Sequence, residues 1–133
     1  MAASWDYLIS YLSPWIVPAA LLARARVAIN FHPGSRDYPG IGCYNFALYE
    51  DAKEYGVTCH HMAPKVDTGA IIAVRRFPVY LEDGVAELLA RTYEHQIALF
   101  FEIVGLLAEG KELPVSDEVW TRNINRWHLE KAD

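Results

Sequence analysis

The stretch VAINFHPG, residues 27–34, tells more about this chain than any other. Residues 27–31 form a largely apolar run typical of a buried strand, which the Pro33-Gly34 pair ends. Side chains alternate across a strand, so Asn30 and His32 share the face opposite Phe31. We therefore expect both polar side chains at the carboxyl end of this strand, which is where open α/β sheets bind ligands.

These residue types indicate chemistry at a carbonyl group. An amide NH₂ can donate to a developing oxyanion, and an imidazole can donate or shuttle a proton. Asp67, in the loop at 63–69, can orient His32 and stabilise its cationic form. A structural interpretation stays open, in which Asn30 caps a turn, His32 is a satisfied core histidine and Asp67 makes an Asx-turn.

Patterns elsewhere predict a single α/β domain. Further strands are expected at 7–11, 55–62 and 70–79. Helices are expected at 18–24, from the turn at 39–42 to about Glu50, and at 85–109 with Asp83 as the N-cap. This alternation predicts a mixed, mostly parallel sheet with flanking helices, and the close spacing of the last two strands predicts an antiparallel part. The predicted core-facing stripe of the long helix is Val85, Leu89, Tyr93, Ile97, Phe100, Val104 and Leu107.

Composition excludes several function classes. The 133 residues are 53% hydrophobic and 22% charged, as in a folded domain, and the net charge of −5 disfavours nucleic-acid binding. Two cysteines cannot build a disulfide framework, which predicts a cytoplasmic protein. Prolines interrupt the apolar segment 7–23, so we expect no membrane span.

The pair His60-His61 raises the question of a metal site. Adjacent residues of a strand point to opposite faces, so the two imidazoles cannot easily share one ion. No histidine or cysteine pair has the usual zinc spacing, and we predict no metal. The spacing leaves open whether His60 lies on the same face as Asn30.

Four segments in order resemble the folate-dependent formyltransferases, which include the glycinamide ribonucleotide, methionyl-tRNA and sugar-nucleotide enzymes. The resemblance runs from about Trp5 to about Gly110 and implies a Rossmann-like core. The segments are Asn30-Phe31-His32-Pro33, Tyr38-Pro39-Gly40, Gly56-Val57-Thr58 and Val66-Asp67-Thr68-Gly69-Ala70-Ile71-Ile72.

The resemblance implies a catalytic trio of Asn30, His32 and Asp67. It would move a formyl group from 10-formyltetrahydrofolate to an amine through a tetrahedral intermediate, without a metal. His60, Gly34 and Ser35 would lie on the acceptor side. The folate would lie between two loops, formed by Leu12, Ser13, Pro14, Trp15, Ile16 and Val17 on one side and by Ala63, Pro64, Lys65 and Val66 on the other.

The sequence also departs from the family pattern. Gly34-Ser35-Arg36-Asp37 stands where most members have Ser-Leu-Leu-Pro, so the acceptor stays open; a small amine such as an aminosugar nucleotide is favoured over tRNA. The resemblance implies a further strand-helix half before the position of Trp5, and we expect this sequence to lack it. We expect a catalytic core at 1–113, a tail or short helix at 114–133, and a homodimer or higher oligomer covering the apolar edge at 7–11. The alternative function is a catalytically impaired folate-binding or oligomerising remnant.

Overall fold

The computed structural model describes residues 4–13, 15–40, 43–64 and 67–121. These residues contain four strands and three helices, in which strands and helices alternate up to the third strand and the last helix is the longest. In chain order they are β1 (Trp5–Tyr11), α1 (Ala19–Leu22), β2 (Ala25–His32), α2 (Cys43–Tyr49), β3 (Glu54–His61), β4 (Ile71–Pro78) and α3 (Val85–Ala108).

The sheet has the strand order β1-β2-β3-β4 and is mixed, which confirms the predicted fold class. Among the described strands, only β1 and β2 pair in parallel, across the crossover that contains α1. The chain reverses after α2, so β3 lies antiparallel to β2, and β4 lies antiparallel to β3. Parallel pairing is therefore the minority among these strands, rather than the majority that the sequence suggested.

The two faces of the sheet differ in character. On one face Phe31 lies opposite Cys59 in the β2–β3 ladder, and both belong to the apolar core with side chains of α2 and α3. On the other face the same ladder pairs Asn30 with His60. The alternation predicted for residues 27–32 thus holds, and it separates a packed apolar face from a polar one.

The predicted stripe of α3 is wrong in phase in the first part of the helix, whereas Phe100 and Leu107 pack against the core as predicted. Val85, Tyr93 and Ile97 are more than 40% exposed. Thr92 and Gln96 occupy the core instead, because the Thr92 hydroxyl donates to the Leu88 carbonyl and the Gln96 amide donates to the Phe31 carbonyl. The buried line of the helix is Leu88, Thr92, Gln96, Leu99 and Ile103.

The predicted N-cap of α3 is also displaced by one residue. Gly84 is the N-cap, and its N–H donates to the side chain of Glu87 in the first turn. Asp83 has another role: its carboxylate accepts from the Tyr80 N–H and from the Arg91 guanidinium. Because the Asp83 carboxylate already pairs with Arg91, it does not cap α3, and Gly84 occupies the N-cap position.

The segment 111–121, here called the strap, leads away from α3 without forming a helix. The Ser116 N–H donates to the Ile71 carbonyl, which ties the strap to the edge of β4. Glu118 pairs with both Arg36 and Arg76, and the Thr121 N–H donates to the Arg36 carbonyl. The strap therefore joins β4 to the segment that follows β2. The remainder of the predicted tail lies outside the described residues.

An apolar surface, here called the β1–α3 face, lies where Tyr11 of β1 packs against Phe100 of α3, with ring centroids 5.2 Å apart. Tyr7 and Ile9 of β1 are 39% and 37% exposed, and Ile97 and Phe101 of α3 are 42% and 68% exposed. β1 is the outer strand of the described sheet, so its backbone edge adjoins the same surface. Among the described residues no helix has the length and apolar character needed to cross a membrane.

The corrected phase of α3 predicts a contrast between two leucines. Leu99 is 1% exposed, whereas Leu81 is 94% exposed. Leu99→Ala should lower the free energy of unfolding by about 2–5 kcal/mol, because a core cavity is left behind. Leu81→Ala should change it by less than about 0.5 kcal/mol. Urea denaturation measures both, and equal effects would contradict the assigned phase.

Candidate functional site

Three polar side chains cluster on the open face of the sheet. Asn30 and His32 project from the end of β2, and the antiparallel register places His60 of β3 directly beside Asn30. His32 and His60 are only 3% and 2% exposed. An irregularity in the β3–β4 register falls at Cys59/His60, next to this cluster, as bulges near active sites often do.

Asp67 connects the two histidines. One carboxylate oxygen lies 3.2 Å from His32 Nδ1, and the other lies 3.1 Å from His60 Nε2. The Gly40 N–H also donates to this carboxylate at 2.8 Å. Asp67 itself has a φ of +49°, a backbone conformation that aspartate tolerates better than most residues. The turn thus directs one nearly buried carboxylate at both imidazoles.

The pKa of Asp67 reflects this setting. Burial raises the pKa of the carboxyl, but the charges of His32 and His60, with hydrogen bonds from His60 and Gly40, outweigh it and hold the pKa at about 2. Asp67 therefore stays ionised at neutral pH. Its contribution to folding stability is present above the ordinary value of 3.8 and is lost as the pH falls towards 2.

His32 faces a hydrogen-bond acceptor on each side of its ring. Nδ1 faces the Asp67 carboxylate, and Nε2 lies 2.5 Å from the Tyr38 carbonyl oxygen. Burial lowers the pKa of His32, and the Asp67 charge and the Tyr38 carbonyl raise it by less. A neutral imidazole has one N–H and can donate to only one of these acceptors, whereas the imidazolium donates to both.

His60 joins Asn30 to Asp67. Its Nδ1 donates to the His61 carbonyl at 2.8 Å, so in the neutral ring Nε2 is an acceptor for the Asn30 amide at 3.2 Å. When protonated, the same Nε2 donates to Asp67 instead. The Asn30 amide has a second N–H that this contact leaves available to the cavity.

A cavity of about 450 Å³ opens in front of the cluster, within the range of small-molecule sites. Asn30, His32, His60 and Asp67 form part of its wall. Seven of the residues predicted to contact folate line it too, while Pro14, Lys65 and Val66 lie outside the described residues. The seven are Leu12, Ser13, Trp15, Ile16, Val17, Ala63 and Pro64.

Gly34 and Ser35, predicted on the acceptor side, are not among the residues that line this cavity. Both lie buried within the turn that follows β2. A Cβ at Gly34 would lie 2.7 Å from His32 Nε2 and 2.9 Å from the Tyr38 carbonyl, so only glycine lets the turn approach the imidazole this closely. Gly34 thus packs against His32, and the acceptor side assigned to Gly34 and Ser35 stays a prediction.

The cavity wall also contains a cysteine side chain. Cys43 lines the cavity, but burial raises the pKa of its thiol to about 11, and the thiol donates to the Pro33 carbonyl. It therefore stays protonated and is a poor nucleophile. Within the described ranges, no group of three or more His, Cys, Asp or Glu side chains could hold a metal ion.

Sequence reasoning missed Trp120. Its ring packs edge-on against both imidazoles, with centroid distances of 5.7 Å to His32 and 5.2 Å to His60. Its indole N–H donates to the Gly69 carbonyl at 2.8 Å. Trp120 is not among the residues that line the cavity, so it contacts the histidines from outside it. Nothing in the local pattern around Trp120 could have revealed this, because every partner is distant in sequence.

The comparisons with known proteins agree on one family. A family profile described as "Formyl transferase" matches residues 5–104. The phosphoribosylglycinamide formyltransferase of Haemophilus influenzae is 31% identical over 84 residues, 62% of this chain and 40% of that protein. The methionyl-tRNA formyltransferase of Chlorobium phaeovibrioides is 33% identical over 106 residues, 77% of this chain and 33% of that protein.

A solved structure shows the same likeness. The formyltransferase of Anoxybacillus kamchatkensis, in complex with UDP-4,6-dideoxy-4-formamido-L-AltNAc and tetrahydrofolate, matches with a TM-score of 0.71 and 27% identity. The match covers 86% of this chain and 62% of that one. The chain thus spans less than two thirds of the length of each of these three proteins.

The site predicts how the His32 ring titrates. In the NMR spectrum His32 should titrate below the ordinary value of 6.5, because burial disfavours its charged form. Asp67→Asn should lower the pKa of His32 further, since the carboxylate charge is the largest cause that raises it. Asp83→Asn, which removes the partner of Arg91, is the control and should leave His32 unchanged. A higher His32 pKa in Asp67→Asn would refute the pairing.

Proposed function

Because the chain belongs to the formyl transferase family, we propose that it transfers a formyl group from 10-formyltetrahydrofolate to the amine of a small molecule. The observation that carries this proposal is the buried Asp67 carboxylate, which holds two imidazoles beside Asn30 at the wall of the cavity. Such a cluster can bind a carbonyl oxygen and move a proton, and it needs no metal.

The proposed reaction is acyl transfer. The amine nitrogen forms a bond to the formyl carbon, and the carbonyl electron pair moves onto oxygen as an oxyanion. The bond from that carbon to N10 then breaks, the carbonyl re-forms, and the proton lost by the amine ends on N10 of tetrahydrofolate. The products are a formamide and tetrahydrofolate, so atoms and charges balance.

Asn30 and His32 are the proposed donors to the oxyanion. Asn30 can donate its second N–H into the cavity while it keeps His60 as a partner. His32 can donate as an imidazolium, whose charge the Asp67 carboxylate stabilises. Its Nε2 faces the Tyr38 carbonyl, so donation to the oxyanion requires that this contact be shared or exchanged.

The cavity has the apolar surface that the flat pterin ring of folate requires. Trp15 and Ile16 provide apolar surface and are 58% and 65% exposed, so a flat ring could cover them. The segment at Ala63 and Pro64 provides the facing wall. The relative from Anoxybacillus kamchatkensis, solved with tetrahydrofolate and a sugar nucleotide, favours folate as donor and an aminosugar nucleotide as acceptor.

The buried, unpaired cysteines and the net charge favour the cytoplasm and a small acceptor. Cys43 and Cys59 are both buried thiols rather than a disulfide, as expected in a reducing compartment. The charge of −5 provides little attraction for tRNA.

The alternative is a remnant that binds folate without transfer, and a transfer assay separates the two. With 10-formyltetrahydrofolate and a panel of amines, the wild-type chain should form a formamide. Asn30→Ala, His32→Ala and Asp67→Ala should each lower kcat by roughly 10²- to 10⁴-fold. His95→Gln, stacked on Phe77 in another part of the fold, should not. Slow hydrolysis of the donor without formamide would favour the remnant.

Two tryptophans test the donor site. Trp15→Ala should weaken binding of folinic acid at least about tenfold in isothermal titration, because the pterin loses an aromatic wall. Trp5→Ala is the matched control, since Trp5 is also exposed but is not among the residues lining the cavity. If the folded wild-type protein binds no folinic acid, or if the two variants bind it equally, this donor site is wrong.

We further propose that the β1–α3 face contacts a second copy of the chain. A strand edge beside an exposed apolar surface is normally covered in folded proteins. Here Tyr7 and Ile9 adjoin such an edge, and Ile97 and Phe101 continue the surface onto α3. A dimer formed through the β1–α3 face would cover the apolar surface of both copies.

Light scattering at micromolar concentration should therefore give at least twice the monomer mass. Ile97→Lys should shift the protein towards monomer, because a charge would lie in the proposed contact. Tyr80→Lys changes an exposed aromatic residue outside the β1–α3 face and should leave the mass unchanged. A stable wild-type monomer would refute the homo-oligomer.

A further inference from the structure

Trp120 contacts both histidines of the proposed machinery and the turn that carries Asp67. Its ring lies edge-on to His32 and His60, and its indole N–H donates to the Gly69 carbonyl, two residues from Asp67. None of these partners is close to Trp120 in sequence. One side chain therefore connects both imidazoles to the turn that carries their shared carboxylate.

The turn has little room to move at this point. A Cβ at Gly69 would lie 1.6 Å from the His61 carbonyl oxygen, so residue 69 must be glycine for the turn to pack against β3. The same glycine presents its carbonyl to the indole N–H. Trp120 thus binds the turn at Gly69, the residue that packs tightly against β3, and β3 carries His60.

The strap brings Trp120 to this place by polar contacts on both sides. Before it, Glu118 pairs with Arg36 and Arg76. After it, Thr121 donates to the Arg36 carbonyl and to the Asp37 side chain. These contacts hold the strap backbone on both sides of Trp120, against β4 and against the segment that follows β2.

From this arrangement we propose that Trp120 is a positioning residue, which locks the His32 and His60 rings against Asp67 and closes the cluster to water from outside the cavity. The proposal rests on the proposed function and assigns Trp120 no contact with either substrate, because Trp120 is not among the residues that line the cavity. Its effect on turnover is therefore indirect and acts through the histidines.

Two consequences follow from the contacts. With a leucine at 120, the rings lose their edge-on neighbour and can reorient, which should lower kcat by roughly 10- to 100-fold. Folate should bind as before, so KM for the donor should stay nearly constant. Water reaching the cluster should also raise the pKa of His32, since burial is the largest cause that lowers it.

Among the described residues, few charged or hydrogen-bonding groups act on His32, which makes its titration a clear readout. They are Asp67 from the turn, the Tyr38 carbonyl from the segment after β2, and His60 from β3. Trp120 is uncharged, so its replacement changes solvent access and packing without adding or removing a charge near the ring.

The experiment compares Trp120→Leu, Trp120→Phe and the control Trp5→Phe. Histidine NMR titration and steady-state formyl transfer are measured for each. Trp120→Leu should raise the His32 pKa and lower kcat, with donor KM unchanged. Trp120→Phe keeps a ring but loses the bond to Gly69, so both effects should be smaller and in the same direction. Trp5→Phe should behave as wild type.

If Trp120→Leu is folded and matches wild type in both kcat and His32 titration, the proposal is overturned. If Trp120→Leu does not fold, Trp120→Phe decides in the same way. If the wild-type chain transfers no formyl group, the proposed function fails. The histidine titrations then still judge Trp120: an unchanged His32 pKa in both variants overturns its positioning role.

Discussion

The site depends on one buried carboxylate. Asp67 accepts hydrogen bonds or ion pairs from His32, His60 and the Gly40 N–H. The Asp67 side chain is only 5% exposed, and it stays ionised because these partners compensate for the lost water. The Asp67 carboxylate, in turn, orients both imidazoles. Without Asp67, the cluster would be two buried histidines with competing tautomers.

The fold places the partners of Asp67 by different means. Parallel pairing with β1 sets β2 inside the sheet, and antiparallel pairing with β3 brings His60 beside Asn30. The loop between β3 and β4 returns Asp67 to the same face, and the strap closes that face with Trp120. The apolar core on the opposite face, under α2 and α3, leaves the polar face open to a ligand.

Local patterns predicted the parts of this arrangement that depend on short spacings. The strand predicted at 27–31 and the shared face of Asn30 and His32 could be read from alternation and turn residues. The pairing of Asp67 with His32 could not, because the two residues are distant in sequence, and only the family resemblance implied it. The position of His60 could not, because it depends on the register between β2 and β3. The phase of α3 was wrong because Gln96 is buried through a hydrogen bond to Phe31, 65 positions away. Trp120 lay beyond local reasoning for the same reason, since Gly69 is 51 positions from it.

The most direct test of the central claim is a crystal structure of the chain with a stable analogue of 10-formyltetrahydrofolate bound, in which the formyl group is on N10. The account predicts the pterin in the cavity between the Trp15 and Ala63 walls. It predicts the formyl oxygen within hydrogen-bond distance of the Asn30 amide, with His32 still paired to Asp67. A pterin bound elsewhere, or a formyl group directed away from Asn30 and His32, would contradict it.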